Sequence, residues 1–386
     1  MDINKLRENK LIVDKVEEAL QAAYSSNGDF NAVLDEAEPI AFTSLKDPEH
    51  QYVYPISEVL YWTDRDAYLD ELDQWEGICQ ISQHDAAIRF IKQSDQVAVF
   101  LDLVDAVRLG RISPFVGAGI SKACGYPMWG EALRKITLKL NGIEVQDIEP
   151  LMAKYDYLQA AQLLYEAAAD QVKHFIKTEF RQRAGAIAGP VLLLPDLAQG
   201  CIVTTNFDSM IEDLFQQRGQ ALDGYMYGMQ PGNAFVQRLL RGERCILKLH
   251  GDARQDNTYV FTQEQYRIAY GEPLSFQNQL PRALRQIFIS HSFLFLGCSL
   301  EQDKTLDLFK SVVDEAAFEI PDHFALLNEP ATPQERTQKE ARLLQLKIRP
   351  IWYSTSVADD GSHDHSLLEQ ILRLAIAVSR RQVAFE

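Results

Sequence analysis

The chain has 386 residues, 46% of them hydrophobic, enough for a substantial core and for two or three domains or one large domain with an extension. Its 38 Lys and Arg against 55 Asp and Glu leave a net charge of −17, and the basic residues are scattered. A chain this acidic repels phosphate backbones, so direct nucleic-acid binding is not expected.

Residues 1–94 are acidic and mixed, with helical spacing at Leu6, Ile12, Val13, Val16, Ala19 and Leu20 and aromatic stretches near Tyr52 and Trp62. Nothing in them suggests chemistry, and they read as an N-terminal extension for oligomerisation. The N-terminus lacks the apolar core of a secretory signal. The longest apolar stretch, Ile287 to Leu300, is too short and too polar to cross a bilayer, so the protein is expected in the cytoplasm, away from membranes.

An amphipathic helix is predicted over 95–109, followed by a short strand from Ile112 to Val116. The strand runs into Gly117-Ala118-Gly119-Ile120-Ser121, and a helix starts near Trp129. Strand, glycine loop, helix is a phosphate cradle, because glycine lets the backbone approach a ligand and helix N-termini attract negative charge. Residues 130–195 read as a helical insertion with helices at 131–141, 154–168 and 170–184. Strands then alternate with helices: Cys201–Thr204, Arg244–Leu249, Phe293–Gly297, His323–Leu327 and Leu346–Trp352. The intervening helices are read at 209–217, 274–290, 303–317 and 333–344, and a last one at 366–379. Apolar strands alternating with helices predict an α/β, Rossmann-like, mostly parallel sheet with helices on both faces. One domain over 95–386 would contain the insertion.

In open α/β sheets ligands bind at the carboxyl ends of the strands. Four such ends carry suggestive residues: Gly117 to Ser121; Thr204-Thr205-Asn206-Phe207-Asp208; His250-Gly251-Asp252; and Gly297-Cys298-Ser299. Each has a plain alternative. A glycine pair can be a tight turn, Asp208 an N-cap, Asn206 a turn residue, and a single His structural. The dinucleotide fingerprint G-x-G-x-x-G fails at its third glycine, where Lys122 stands. The five cysteines form no C-x-x-C pair and read as buried thiols of a reducing compartment.

This order of motifs resembles the sirtuin superfamily, and most of all its bacterial sirtuin-like NAD-hydrolase branch. The Gly-Ala-Gly-x-Ser loop, Gly125-Tyr126-Pro127, Asn206-Phe207-Asp208, His250-Gly251 and the late Gly297-x-Ser299 carry the resemblance, over roughly residues 95–380. It implies NAD as substrate, with Gly117, Ala118, Gly119 and Ser121 at the phosphates. Pro127, Trp129, Thr205, Gly297 and Ser299 would help bind the dinucleotide. Asn206 would position the attacking group, Asp208 would support the loop or bind nicotinamide, and His250 would act as general base. It further implies NAD depletion in anti-phage defence, a homo-oligomer, and a partner such as a HerA-type ATPase encoded nearby. The four-cysteine zinc module of deacylating sirtuins is missing, so no zinc is expected and protein deacylation ranks last. The family's Gly-x-Pro-x-Phe-Arg becomes Gly125-Tyr126-Pro127-Met128-Trp129-Gly130, without the arginine. A non-catalytic sensor of NAD or ADP-ribose is the alternative.

Overall fold

A computed structural model of the chain describes residues 10–140, 142–181, 186–230, 234–301, 304–315, 319–357 and 363–385. The ends of the helices expected over 131–141, 170–184 and 303–317 lie partly outside them, as does Leu6. The chain divides into two compact units, residues 1–83 and 84–386. The division falls inside one long helix, Arg65–Gln93.

In the first unit, helices Lys10–Ser26, Gly28–Leu34 and Ile56–Thr63 and the start of the long helix surround a small aromatic core. Phe30, Tyr61, Tyr68 and Leu72 form its centre. Its tyrosine hydroxyls are all paired: Tyr61 donates to the Leu20 carbonyl at 2.8 Å, Tyr68 to Asn31 Oδ1 at 2.6 Å, and Tyr24 meets Ser57 Oγ at 2.7 Å. A core of so few side chains leans on such pairing, because an unpaired buried hydroxyl would cost more than its ring gains. Strands β1 (Ile40–Thr43) and β2 (Gln51–Tyr54) make an exposed antiparallel hairpin.

The second unit is built on seven parallel strands. They are β3 (Ile112–Val116), β4 (Cys201–Thr204), β5 (Gly224–Tyr227), β6 (Cys245–Lys248), β7 (Ser292–Leu296), β8 (His323–Asn328) and β9 (Ile348–Tyr353), in the spatial order β5-β6-β4-β3-β7-β8-β9. The chain starts in the middle at β3, winds outward through β4 and β6, and returns to the other side of β3 with β7. The reversal between β3 and β7 is the switch point at which such sheets open a crevice.

Alternation along the strands sorts the apolar side chains into two layers. Ile112, Ile202, Ile246, Leu294, Leu296, Phe324 and Ile351 face one side, where helices Val97–Arg108 and Ser366–Ser379 cover them. Phe115, Val203, Leu247, Phe293, Phe295, Leu327 and Trp352 face the other, under helices Gln279–Ser290 and Lys304–Glu315. Each fully buried Phe or Leu contributes about 1.5–3 kcal/mol. The parallel, two-sided sheet matches the expectation from continuous apolar runs. Cys201 and Cys245 are register partners inside it, both as free thiols, and burial raises their pKa values.

The sequence pattern assigns no element to the edge strand β5 or to helix Gln263–Tyr270, and helix Val145–Met152 adds a defined segment to the stretch read as helical. The two helices expected on either side of residue 169 run as Tyr157–Glu179 with a break at Ala168, whose φ of −158° leaves the helical region, so the expected division is present. This helix, with Trp129–Thr137 and Val145–Met152, forms the insertion around Leu133, Ile148, Leu164 and Phe175. Among the described residues no helix is long and apolar enough to cross a membrane.

His323 is the titratable group deepest in the second layer. Its Nδ1 accepts the Phe293 N–H at 3.0 Å, its ring stacks on Phe288 at 4.1 Å, and burial lowers its pKa to about 3. The folded state therefore resists a proton that the unfolded chain accepts near pH 6.5, and stability falls as pH drops from there toward 3. We expect the urea midpoint to decline from pH 7 to pH 4, and His323→Gln, which keeps an acceptor but does not titrate, to flatten that decline.

Candidate active site

The loop after β3 lies directly on the turn after β7. Gly117 N–H donates to the Leu296 carbonyl at 2.8 Å and Gly119 N–H to the Gly297 carbonyl at 3.1 Å. A Cβ on Gly117 would stand 2.5 Å from the Gly297 oxygen, and one on Gly297 would stand 2.5 Å from Ile120 N. Gly297 also has φ +66°, a conformation that glycine adopts freely. The glycines here serve a backbone-to-backbone approach across the switch point.

Beside this crossing, the end of β4 is stapled to β3. Thr204 Oγ1 donates to the Val116 carbonyl at 2.8 Å and Thr205 N–H to the same oxygen at 3.1 Å. Asn206 N–H then donates to Thr204 Oγ1 at 3.1 Å, which turns the Asn206 side chain toward the glycine loop. Its Nδ2 donates to the Gly117 carbonyl at 3.1 Å and to Ser121 Oγ at 2.8 Å. Ser121 Oγ in turn donates to Asp208 Oδ2 at 3.0 Å, and Asp208 Oδ1 accepts the Met210 N–H at 3.1 Å. Burial raises the Asp208 pKa against the pull of Lys248. The sequence reading gave Ser121 to phosphate. The geometry ties its hydroxyl to Asn206 and Asp208, and it lines only the narrower of two adjoining recesses.

The larger recess is a cavity of about 580 Å³, within the roughly 300–1,000 Å³ of small-molecule sites. Gly117, Ala118, Gly119, Trp129, Thr205, His250, Gly297 and Ser299 all line it. The narrower recess beside it is lined by Ala118, Ser121, Pro127, Trp129, Thr205, Asn206 and Asp208. Every residue to which the resemblance gave a catalytic or binding role therefore stands at one of these two walls, although they come from distant segments of the chain.

His250 follows β6 and sits in an aromatic box. Trp129 lies edge-on at 5.0 Å between ring centroids and Phe207 at 6.1 Å. Burial lowers its pKa to about 4, offset slightly by the Thr205 backbone, so the imidazole is neutral at physiological pH.

Two participants carry little or no motif signal. Lys248, the last residue of β6, is fully buried. Its Nζ donates to the carbonyls of Phe207 and Asp208, to Glu212 Oε1 at 3.1 Å and to Asp252 Oδ2 at 3.0 Å. Burial alone would lower its pKa, but Glu212, Asp252 and Asp208 outweigh burial and raise it. Arg254 completes the cluster on Asp252 at 2.8 Å, and its hydrogen bond and Lys248 overcome burial to hold that carboxylate at a pKa of about 2. A charge inside the apolar run Cys245-Ile-Leu-Lys-Leu is the signal that could have found Lys248. The second is Tyr266, whose hydroxyl lies 2.5 Å from His250 Nε2. It sits in a polar stretch with no signal of its own. Among the described residues no His, Cys, Asp and Glu cluster is arranged to hold a metal ion.

Residues 200–351 match the family profile of a SIR2-like domain. Two relatives are similar over about half of this chain. The protein named NAD(+) hydrolase ThsA from Acinetobacter baumannii (strain 532279) is 28% identical over 200 residues, 51% of this chain and 38% of its own length. Defense-associated sirtuin 2 from Bacillus subtilis is 24% identical over 209 residues, 52% of this chain and 19% of its own length. The similarity thus covers well under half of either relative.

Lys248 balances three buried acids, and although Arg254 also pairs with Asp252, removing the one fully buried cation among them typically costs about 3–5 kcal/mol. Lys248→Met should lower the unfolding free energy by about that amount in urea titrations. A loss under about 1 kcal/mol would mean the cluster holds nothing together.

Proposed function

We propose that this chain, which carries a SIR2-like domain and belongs to the sirtuin-like family, hydrolyses NAD to nicotinamide and ADP-ribose. The observation that carries the reading is the convergence of Asn206, a neutral His250 and the glycine crossing on two adjoining recesses at the switch point. The similarity to a protein named as a NAD(+) hydrolase supports the same substrate. The name of the second relative, Defense-associated sirtuin 2, supports a role in defence, which in this reading is defence against phage by NAD depletion.

The bond to be cut joins nicotinamide nitrogen to C1′ of ribose. Its electron pair leaves with the nitrogen, so nicotinamide departs neutral and needs no proton. The sugar becomes cation-like and takes a water oxygen at C1′, and the water's proton passes to His250. A site for this chemistry holds the substrate in a reactive pose, shelters the positive sugar and orients water. In this reading, the glycine loop lets the backbone lie close to the phosphates, while its Gly117 and Gly119 N–H groups stay on the Leu296 and Gly297 carbonyls. Asn206 keeps its amide nitrogen on the loop and offers Oδ1 to the water or a ribose hydroxyl. Asp208, through Ser121, keeps that amide in orientation. The neutral, boxed imidazole suits a base that must accept a proton and release it again.

Purified protein mixed with NAD, alone or with the product of a neighbouring gene, should release nicotinamide. Asn206→Ala and His250→Ala should each reduce that release by about 100-fold or more, the usual loss of a catalytic group. Product from the double variant at the wild-type rate would sink the assignment.

The pH dependence is a separate check. A base works when unprotonated, so kcat/KM is lost as pH falls through the pKa of the free enzyme's base. With His250 at about 4, kcat/KM should hold through pH 6 and fail only near pH 4. An acid limb centred near 6.5 would point to a different, exposed base.

A further inference from the structure

His250 meets the cavity through one ring nitrogen. Its Nδ1 is buried and makes no hydrogen bond, and the Thr205 backbone beside the ring opposes in part the fall in pKa that burial causes. Its Nε2 faces the Tyr266 hydroxyl, and both residues line the large cavity. Of a phenol and a neutral imidazole, the phenol is the stronger acid, so the phenol donates and Nε2 accepts. A neutral ring that accepts at Nε2 carries its proton on Nδ1.

Tyr266 is itself firmly held. It lies on helix Gln263–Tyr270, whose first turn is closed by a reciprocal cap. Thr262 Oγ1 accepts the Gln265 N–H at 3.2 Å, while Gln265 Oε1 accepts the N–H groups of Phe261 at 2.8 Å and Thr262 at 3.1 Å. The Tyr266 ring stacks on Tyr270 at 5.2 Å with an interplanar angle of 7°. The helix, the cap and the stack leave the hydroxyl little freedom except along the line to Nε2. The rest of the box around the imidazole is Trp129 and Phe207, whose contacts are ring against ring.

We propose that Tyr266 is the positioning residue of His250: it fixes the Nδ1–H tautomer and keeps the Nε2 lone pair directed at the cavity. The inference rests on the reading of His250 as the base of NAD hydrolysis. In the empty site the phenol occupies Nε2. In the reaction the attacking water takes the phenol's place as donor, gives its proton to Nε2 and bonds through oxygen to C1′ as nicotinamide leaves. Without the phenol, the ring has no side-chain partner to select one tautomer, and a ring protonated on Nε2 cannot serve as base from that atom.

Tyr266→Phe keeps the ring and its stack and removes the hydroxyl. In histidine-15N-labelled wild type without substrate, the ring signals of His250, assigned by their loss in His250→Gln, should report a protonated Nδ1 and a bare Nε2. Tyr266→Phe should turn this into a mixture of tautomers, and should lower kcat about 10-fold or more with KM changed less than about threefold. An Nε2–H ring in wild type, or an unchanged tautomer in Tyr266→Phe, overturns the proposal. If wild type releases no nicotinamide, the reading of His250 as base fails, while the ring signals still decide the tautomer. If Tyr266→Phe does not fold, the wild-type spectrum decides alone.

Discussion

The crossing of two backbones at the switch point is the constraint on which the rest depends. Gly117 and Gly119 hang from the carbonyls of Leu296 and Gly297, and no side chain fits between the two turns. That contact fixes where the β3 loop ends, and hence where Ser121 stands. Ser121 fixes the plane of the Asn206 amide by accepting from it. A carbonyl of the same glycine loop accepts the amide's second hydrogen bond. The polar side of the site is therefore an extension of one backbone contact.

The opposite side is held by charge. Four parallel strand ends bring their carbonyls and side chains close together, and the segment Asn206–Asp208 has no regular partner strand to satisfy it. Lys248 supplies the donors it needs, as its Nζ reaches two carbonyls of that segment and two carboxylates at once. A buried ammonium is costly, and it is tolerated here because the surrounding acids are buried with it. The same burial keeps His250 neutral. One dry environment thus supports a charged lysine and an imidazole that is uncharged at neutral pH, two residues apart, and the number of partners within reach separates them.

Much of this was legible in the sequence where a physical pattern is local. Continuous apolar runs such as Cys201-Ile-Val-Thr and Phe293-Leu-Phe-Leu can only be buried on both faces, and the parallel sheet follows from them. Strand-end residues such as Asn206 and His250 stood out because polar side chains directly after such runs lie at the ligand edge. What stayed hidden depends on distant contacts. Strand β5 has an exposed Tyr225 and a glycine and pairs only because β6 is beside it. Helix Val145–Met152 is polar and contains Pro150. Tyr266 becomes part of the site only when its capped helix is folded against helices Tyr157–Glu179 and Gln279–Ser290. The bonds of Ser121 to Asn206 and Asp208 span more than eighty residues, so no local pattern announces them.

Phe207 stands between Asn206 and Asp208 in the chain, yet its ring is packed in the core of the helical insertion with Tyr259 and Phe261. Two adjacent residues of the site thus flank an anchor sunk in the insertion. The insertion cannot loosen its core without releasing that anchor, and the polar network cannot re-form while the anchor is free. The helices between β3 and β4 and the polar network of the site thus share one buried ring, so the packing of the insertion and the placement of Asn206 and Asp208 are parts of one structure.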